Sequence, residues 1–520
     1  MRIGIDVGGT NTDAVLMDGR RVLGAVKTAT TPDVTGGIVT ALRQLVEGRS
    51  GEPLDVQAVM IGTTHFTNAV IEGKRLMPTV AIRLGLPATA ALPPMVDWPE
   101  RLKQTVGNHV YLCHGGHEFD GRPISPLDRD ELRAAAADIG ARGIRSVAIS
   151  SVFSPVNAEF EEEAAAILAE ELPGVAVSLS HEIGRTGLLE RENATIVNAC
   201  LRDLAGRIVD SFHAALAQLD LDAPVYLSQN DGTLMSVDYA KRYPVATFAS
   251  GPTNSMRGAA FLSGEQDCAV VDIGGTTSDV GILQHGFPRE ASLAVDVGGV
   301  RTNFRMPDVF SIGLGGGSLV RTDPTRVGPD SVGYELTTSA LVFGGRTLTA
   351  SDVVVAAGRA DFGERSRVSS LDEALVREVL AVIERMVADA VDRIKTTADP
   401  IPVVVVGGGS VLLPDELPGA SRLVRPEHFA VANAIGAAIA QVGGEVDRVV
   451  SLDGLSREAA LEEAKQEAIG KAVSAGADAD SVRVVDVEEV PLAYLPSNAV
   501  RFRVKAVGDL SLGGDGAPAR

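Results

Sequence analysis

Residues Gly4-Ile5-Asp6-Val7-Gly8-Gly9-Thr10-Asn11-Thr12-Asp13-Ala14-Val15-Leu16-Met17 decide how this chain is read. They return as Val270-Val271-Asp272-Ile273-Gly274-Gly275-Thr276-Thr277-Ser278-Asp279-Val280-Gly281-Ile282-Leu283. Each copy is an apolar run, a turn of aspartate, glycine and hydroxyl residues, and a second apolar run, the pattern of a β-hairpin with a widened polar tip. The spacing lies far beyond the roughly 20 to 50 residues of solenoid repeats and predicts two similar α/β domains.

At the first tip Gly8 and Gly9 lack side chains, so backbone N–H groups can approach phosphate oxygens closely. Thr10, Asn11 and Thr12 add further donors. Asp6, at the strand end, is placed to hold Mg²⁺ through water beside a nucleotide. A single loop of this kind is also what an ordinary structural turn looks like. The second copy repeats the chemistry with Asp272, Gly274, Gly275, Thr276, Thr277, Ser278 and Asp279, and two facing cradles can grip one polyphosphate. A third close backbone approach is expected at Gly407-Gly408-Gly409-Ser410, which follows the β-branched run Val403 to Val406. The agreement of three such elements makes nucleotide binding the expectation.

Composition frames this reading. At about 150 residues per domain, 520 residues predict two to four domains. Hydrophobic residues at 45% and charged residues at 22% exclude a mainly disordered or fibrous chain. Lys and Arg total 47 against 68 Asp and Glu, a net charge of −21 that opposes non-specific attraction to nucleic acid or anionic lipid. Apolar runs fall far short of the roughly 20 residues of a membrane span, and the start carries no signal-peptide pattern, so the cytoplasm is the expected compartment. Cys113, Cys200 and Cys268 are widely spaced and read as buried free thiols.

Between and beyond the hairpins, helical and strand patterns alternate. Arg129 to Arg142 and Asn157 to Glu171 read as helices around the strand Ser146 to Phe153, and Leu371 to Lys395 reads as a long helix. From about Asp447 a charged helix, Ser456 to Ala475, and two strands read as a small appended module ending in a disordered tail from Ser511 to Arg520.

With these motifs in hand, the chain resembles the actin-like ATPase superfamily of acetate and sugar kinases, heat-shock ATPases and actin. More narrowly it resembles the hydantoinase A/oxoprolinase family. The narrower likeness rests on Ile3 to Asp13, Gly62-Thr63-Thr64-His65-Phe66-Thr67-Asn68-Ala69, Glu190 to Ala199, Ser250-Gly251-Pro252, Asp272 to Asp279 and Ile312 to Ser318. It implies two actin-like (ribonuclease H-like) ATPase domains around a nucleotide cleft, residues 1–189 and 190–446, with a small α+β module at 447–520. It further implies ATP-dependent opening of a cyclic amide, such as a hydantoin, 5-oxoproline or another lactam, commonly beside a B-type partner subunit in an oligomer. A small-molecule kinase, an ATP-dependent carboxylase subunit and a non-catalytic ATP-gated activator are the alternatives on the same scaffold.

Carried onto this chain, the resemblance gives Asp6 and Asp272 the task of holding Mg²⁺ or positioning the attacking oxygen. Gly8 to Thr12 and Gly274 to Ser278 would cradle the phosphates of ATP, and Gly407 to Ser410 would line the adenosine pocket. Asp13 and Asp279 either brace their loops or join the chemistry. Gly315, Gly316 and Gly317 read equally as a phosphate approach or a packing turn. Thr63, Thr64, His65 and Asn68 end a predicted strand, where open α/β sheets place ligands, and are expected to touch substrate. Arg191 and Asn193 either reach the cleft or cap a helix at the surface. His109, Cys113, His114, His117, Glu118 and Asp120 form the densest set of metal-capable residues, with His114 and His117 the candidate ligands against the alternative of a polar loop.

Overall fold

The first repeat forms a hairpin in which Arg2–Val7 pairs antiparallel with Asn11–Asp18, placing Asp6 opposite Asp13. Arg21–Ala29 flanks it antiparallel on one side, and Ala58–Thr63 runs parallel to it on the other. The second repeat, Cys268–Ile273 and Ser278–Gln284, forms the matching hairpin, with Asp272 opposite Asp279. Its neighbours are Val309–Ile312, antiparallel, and Ile401–Val406, parallel. The computed structural model describes residues 1–9, 11–29, 34–47, 55–291, 294–452, 454–492 and 499–511. Thr10 of the first tip, and the expected disordered tail beyond Ser511, lie outside the described residues.

Chain order and sheet membership part company after residue 190. The first hairpin's sheet has nine strands, because Val225–Ser228, Thr233–Ser236, Gln441–Val450, Val500–Gly508 and Arg483–Pro491 all continue it. Two elements run across the expected boundaries at 189/190 and 446/447. Gln441–Val450 runs across the second boundary, and the helix Leu188–Ala217 runs across the first while burying its side chains in the first domain's core. Strands pair through backbone groups that every residue type carries, so the partner sheet is not written in the strand's own sequence. A separate four-stranded parallel sheet, His109–His114, Val80–Leu86, Ser146–Ser151 and Ala176–Leu179, is inserted between the first hairpin and the long helix.

Helices cover these sheets with apolar stripes. Glu373–Ile394 buries Val376, Val379, Leu380, Ile383 and Val387 at helical spacing against Val403 and Val405, and the Asp372 side chain caps its start by accepting from the Ala374 N–H. Among the described residues, no helix is long and apolar enough to cross a membrane.

Two helices join the halves. Ser250–Ser263 packs on strands of both sheets, and Ala432–Ala438 packs on it and on the first hairpin. A Cβ added at Gly258 would lie 1.9 Å from the Ala432 carbonyl oxygen, and one at Gly436 would lie 1.8 Å from that of Asn254. Only glycine lets the two backbones come this close. Their crossing delivers Asn254, Ser255 and Asn433 to the space between the hairpins.

Candidate active site

Pairing register places each hairpin's two aspartates side by side on one face of the sheet. Both tips close alike, Gly8 N–H donating to the Asn11 carbonyl at 3.0 Å and Gly274 N–H to the Thr277 carbonyl at 2.9 Å. A Cβ added at Gly9 or Gly275 would meet no atom within 4 Å, so both tips border open space. The strand ends beside them are matched too. A Cβ at Gly62 would fall 2.5 Å from Asp6 Oδ1, and one at Gly407 would fall 2.2 Å from Asp272 Oδ1. The duplication thus extends to the glycine beside each carboxylate, which only the folded sheets reveal.

Asp6 is 5% exposed, and Asn433 Nδ2 donates to it at 3.0 Å and to Asp13 at 2.8 Å. Lys27 Nζ lies 2.5 Å from the other oxygen of Asp13. Burial, reinforced by the Asp13 charge, pushes the Asp6 carboxyl up from 3.8 to about 6. Asn254 is close enough to oppose that rise, yet its amide is not aimed well enough to bond Asp6 Oδ1, which is buried without a hydrogen-bond partner. Burial also pushes Asp272 up to about 6, against the hydrogen bond it accepts from Ser255 Oγ at 2.5 Å. Burial raises Asp279 as well, opposed by the Ser311 hydroxyl.

The charge of Asp272 acts on Asp6, and the charges of Asp13 and Lys27 act on Asp272. One helix carries Asn254 beside Asp6 and the next residue, Ser255, onto Asp272, so the two dyads lie close together in space. A buried carboxylate oxygen lacking a donor is suited to accept from the water shell of Mg²⁺, so Asp6 fits that ion.

The glycine-rich loops differ in what they offer. Gly407 N–H donates to the Phe429 carbonyl at 2.9 Å and Gly409 N–H to that of Ile273 at 2.8 Å, seating this loop against the second hairpin. In the triplet, Gly315 N–H donates to Ser318 Oγ at 2.8 Å, Gly316 N–H to the Gly274 carbonyl at 3.0 Å and Gly317 N–H to the Gly275 carbonyl at 2.7 Å. All three amides are engaged inside the protein, so the triplet braces the second tip from behind.

Thr64 N–H reaches the Val7 carbonyl at 3.4 Å, which puts the segment from Thr63 to Asn68 beside the first tip. Ser250 Oγ bonds the backbone of Thr63 and fixes that segment to the joining helix. His65 Nδ1 meets Thr63 Oγ1 at 2.7 Å, and Asn68 Nδ2 donates to Thr64 Oγ1 at 3.4 Å. Burial, with the Arg75 charge, pushes His65 down to about 4, so its ring is neutral at pH 7.

Several expected residues lie elsewhere. His114 and His117 do not form a pair: His114 Nδ1 bonds Glu131 Oε1 at 2.8 Å, whereas His117 is buried and stacked on Phe160 at 4.3 Å. Asp128 and Glu131 join His114 instead, but Asp128 caps the helix Arg129–Ala141 and Glu131 takes the ring and backbone N–H groups of His114. Arg191 is fully buried and ties down Ser180 and the carbonyls of Ser151, Arg185 and Thr186, neither reaching the cleft nor lying on the surface. Asn193 bonds Trp98 and the Arg301 carbonyl. A cavity of about 1230 Å³, bordered by Asp231, Tyr239, Arg305 and Glu445, lies away from the hairpins at the C-terminal strands.

Four polar residues of the site, Lys27, Asn254, Ser255 and Asn433, are absent from the sequence reading. The motif Ser250-Gly251-Pro252 stands just before Asn254 and Ser255 and was the available signal for those two. No local pattern marks Lys27 or Asn433.

Comparison with known proteins follows the same division of the chain. A family model for the hydantoinase/oxoprolinase N-terminal region matches residues 2–172, and one for hydantoinase/oxoprolinase matches residues 191–394. Caprolactamase subunit alpha of Pseudomonas jessenii is 29% identical over 385 residues, covering 69% of this chain and 54% of that protein. Acetophenone carboxylase gamma subunit of Aromatoleum aromaticum is 27% identical over 393 residues, covering 68% and 53%. The chain therefore spans about half the length of these curated relatives. The crystal structure of ATP-dependent caprolactamase from Pseudomonas jessenii shares the fold at a TM-score of 0.79 and 20% identity, covering 98% of this chain and 88% of that one. With its paired hairpins, α/β architecture and both sequence matches, the chain belongs to the hydantoinase/oxoprolinase family.

Proposed function

We propose that this chain is the ATP-using, A-type subunit of an enzyme that opens a cyclic amide, such as a hydantoin, 5-oxoproline or a larger lactam. The observation that carries the reading is the pair of aspartate dyads, one at each of two matching glycine tips, brought close together by one helix. An amide carbonyl is resonance-stabilised and poorly electrophilic. Phosphorylation of its oxygen turns that oxygen into a leaving group and opens the carbon to water. Bound MgATP would supply the phosphoryl group and the positive charge beside it.

The chain's own residues then divide the work. Backbone and hydroxyl groups from Gly8 to Thr12 and from Gly274 to Ser278 cradle the phosphates, and Gly407 to Ser410 lines the adenosine pocket. Asp6, with its unpaired oxygen, holds the water shell of Mg²⁺. Asp272, lifted to about 6, gains basicity toward the neutral range that suits a general base and positions the attacking oxygen. Asp13 and Asp279 hold their hairpins through Asn433, Lys27 and Ser311. Thr63, Thr64, neutral His65 and Asn68 present hydrogen-bonding groups to the amide. A B-type subunit, within a hetero-oligomer, completes the enzyme.

The test is ATP hydrolysis by the purified chain against a panel of hydantoins, oxoproline and larger lactams, with and without the protein encoded beside it. Turnover should rise with one cyclic amide, and Asp272→Asn should abolish it while far-UV circular dichroism stays unchanged. Near-normal turnover in that variant removes the role given to Asp272. The likeness to a carboxylase subunit favours one second reading, activation of a ketone for carboxylation. Turnover that depends on bicarbonate and ignores every amide selects it.

A further inference from the structure

Lys27 breaks the duplication of the two carboxylate rows. Across the first sheet, register aligns Asp6 with Asp13 and Asp13 with Lys27, so the three stand in one row on one face. Across the second sheet the matching row is Asp272, Asp279 and Ser311. Lysine in one half thus occupies the position of serine in the other. Ser311 Oγ secures Asp279 with a hydrogen bond at 2.5 Å, so holding the second aspartate of a hairpin does not require a cation.

The ammonium of Lys27 also reaches beyond its own row. It lies 2.5 Å from Asp13, opposite it on the strand beside the first tip, and its charge also bears on Asp272 in the opposite domain. Its side chain is 36% exposed, against 3% for Asp13. Among the described residues, no ion pair is found for Asp6, Asp272 or Asp279. Of the four carboxylates, Asp13 alone is paired with a cation, and that cation is Lys27. A triphosphate entering this space adds like charge at close range, and the ammonium can be attracted to both.

We propose that Lys27 is a phosphate-contacting residue, which turns from Asp13 to the terminal phosphate when ATP occupies the cleft. The proposal rests on the nucleotide reading above and deepens it, assigning the charge-recognising role to one half of the duplicated pair. Lysine contacts phosphate as a point charge, and one charge-assisted hydrogen bond is worth about 10- to 100-fold in affinity.

Calorimetric titration of the full chain with MgATP and with MgADP, without amide, tests it. Lys27→Ser copies the second row into the first and should weaken MgATP binding about 10- to 100-fold and MgADP binding less than about 3-fold. Lys27→Arg should keep most of the preference for ATP. Lys27→Gln, which keeps a stem and a donor for Asp13, gives the same comparison should the serine variant not fold. Equal weakening of both nucleotides, or no weakening, overturns the proposal and leaves Lys27 as a brace for Asp13. Failure of the wild-type chain to bind either nucleotide would instead remove the nucleotide reading, and the proposal with it.

Discussion

Replacing Asp6 by Asn should stabilise the protein at neutral pH while disabling it. The side chain is 5% exposed, and its carboxyl is raised from 3.8 to about 6. A carboxyl whose folded value lies above its unfolded value contributes stability that is complete below 3.8 and lost as pH rises through about 6. At about 1.4 kcal/mol per unit, the shift makes ionised Asp6 a burden of about 3 kcal/mol at pH 8 and under about 1 kcal/mol at pH 4. Asparagine carries no charge and still accepts from Asn433. Urea unfolding of wild type and Asp6→Asn at both pH values measures the difference. The variant should be more stable by about 1–3 kcal/mol at pH 8, with most of that gain gone at pH 4, and its ATP turnover should be lost. A variant no more stable than wild type at pH 8, or a gain that does not shrink at pH 4, refutes the account of a buried charge kept for function.

Gly407→Ala tests the close approach at the second dyad. Alanine there is strained by a φ of +85° and would place its Cβ 2.2 Å from Asp272 Oδ1, so a loss of about 1–3 kcal/mol and at least about a tenfold fall in ATP turnover are expected. Gly408→Ala, whose Cβ meets no protein atom within 4 Å, should be near neutral in the same denaturation assay. Glu192→Gln should destabilise by about 3–5 kcal/mol in urea unfolding, because Arg83, at 0% side-chain exposure, loses the carboxylate bonded to its Nε at 2.7 Å. Arg83→Met combined with Glu192→Leu should recover much of that loss, since no charge is then left buried alone.

The chemistry at each tip was legible because it is local. A hairpin needs only its own residues, and Asp6 to Asp13 and Asp272 to Asp279 each carry the strand pattern, the turn and the carboxylates in one unbroken stretch. What supports those carboxylates was not legible. Asn433 lies far along the chain from the Asp6 it bonds, and Lys27 becomes part of the site only through the register of a neighbouring strand. Between the two readings of His114 and His117, metal ligands or a polar loop, sequence could not choose for the opposite reason. Short sequence spacing suggested shared chemistry, but a turn sent one ring onto Phe160 and the other to Glu131.

By itself the sequence determined that two matching glycine-tipped hairpins exist, and which aspartates and glycines they present, since period-two strands and glycine turns are set by nearest neighbours. Tertiary structure alone decided that the C-terminal strands complete the first domain's sheet and that glycine-lined helices carry Asn254, Ser255 and Asn433 into the cleft. It also decided that Lys27 has no cationic twin in the other half. Backbone pairing and close packing join residues by distance in space, and that distance is settled only when the whole chain has folded.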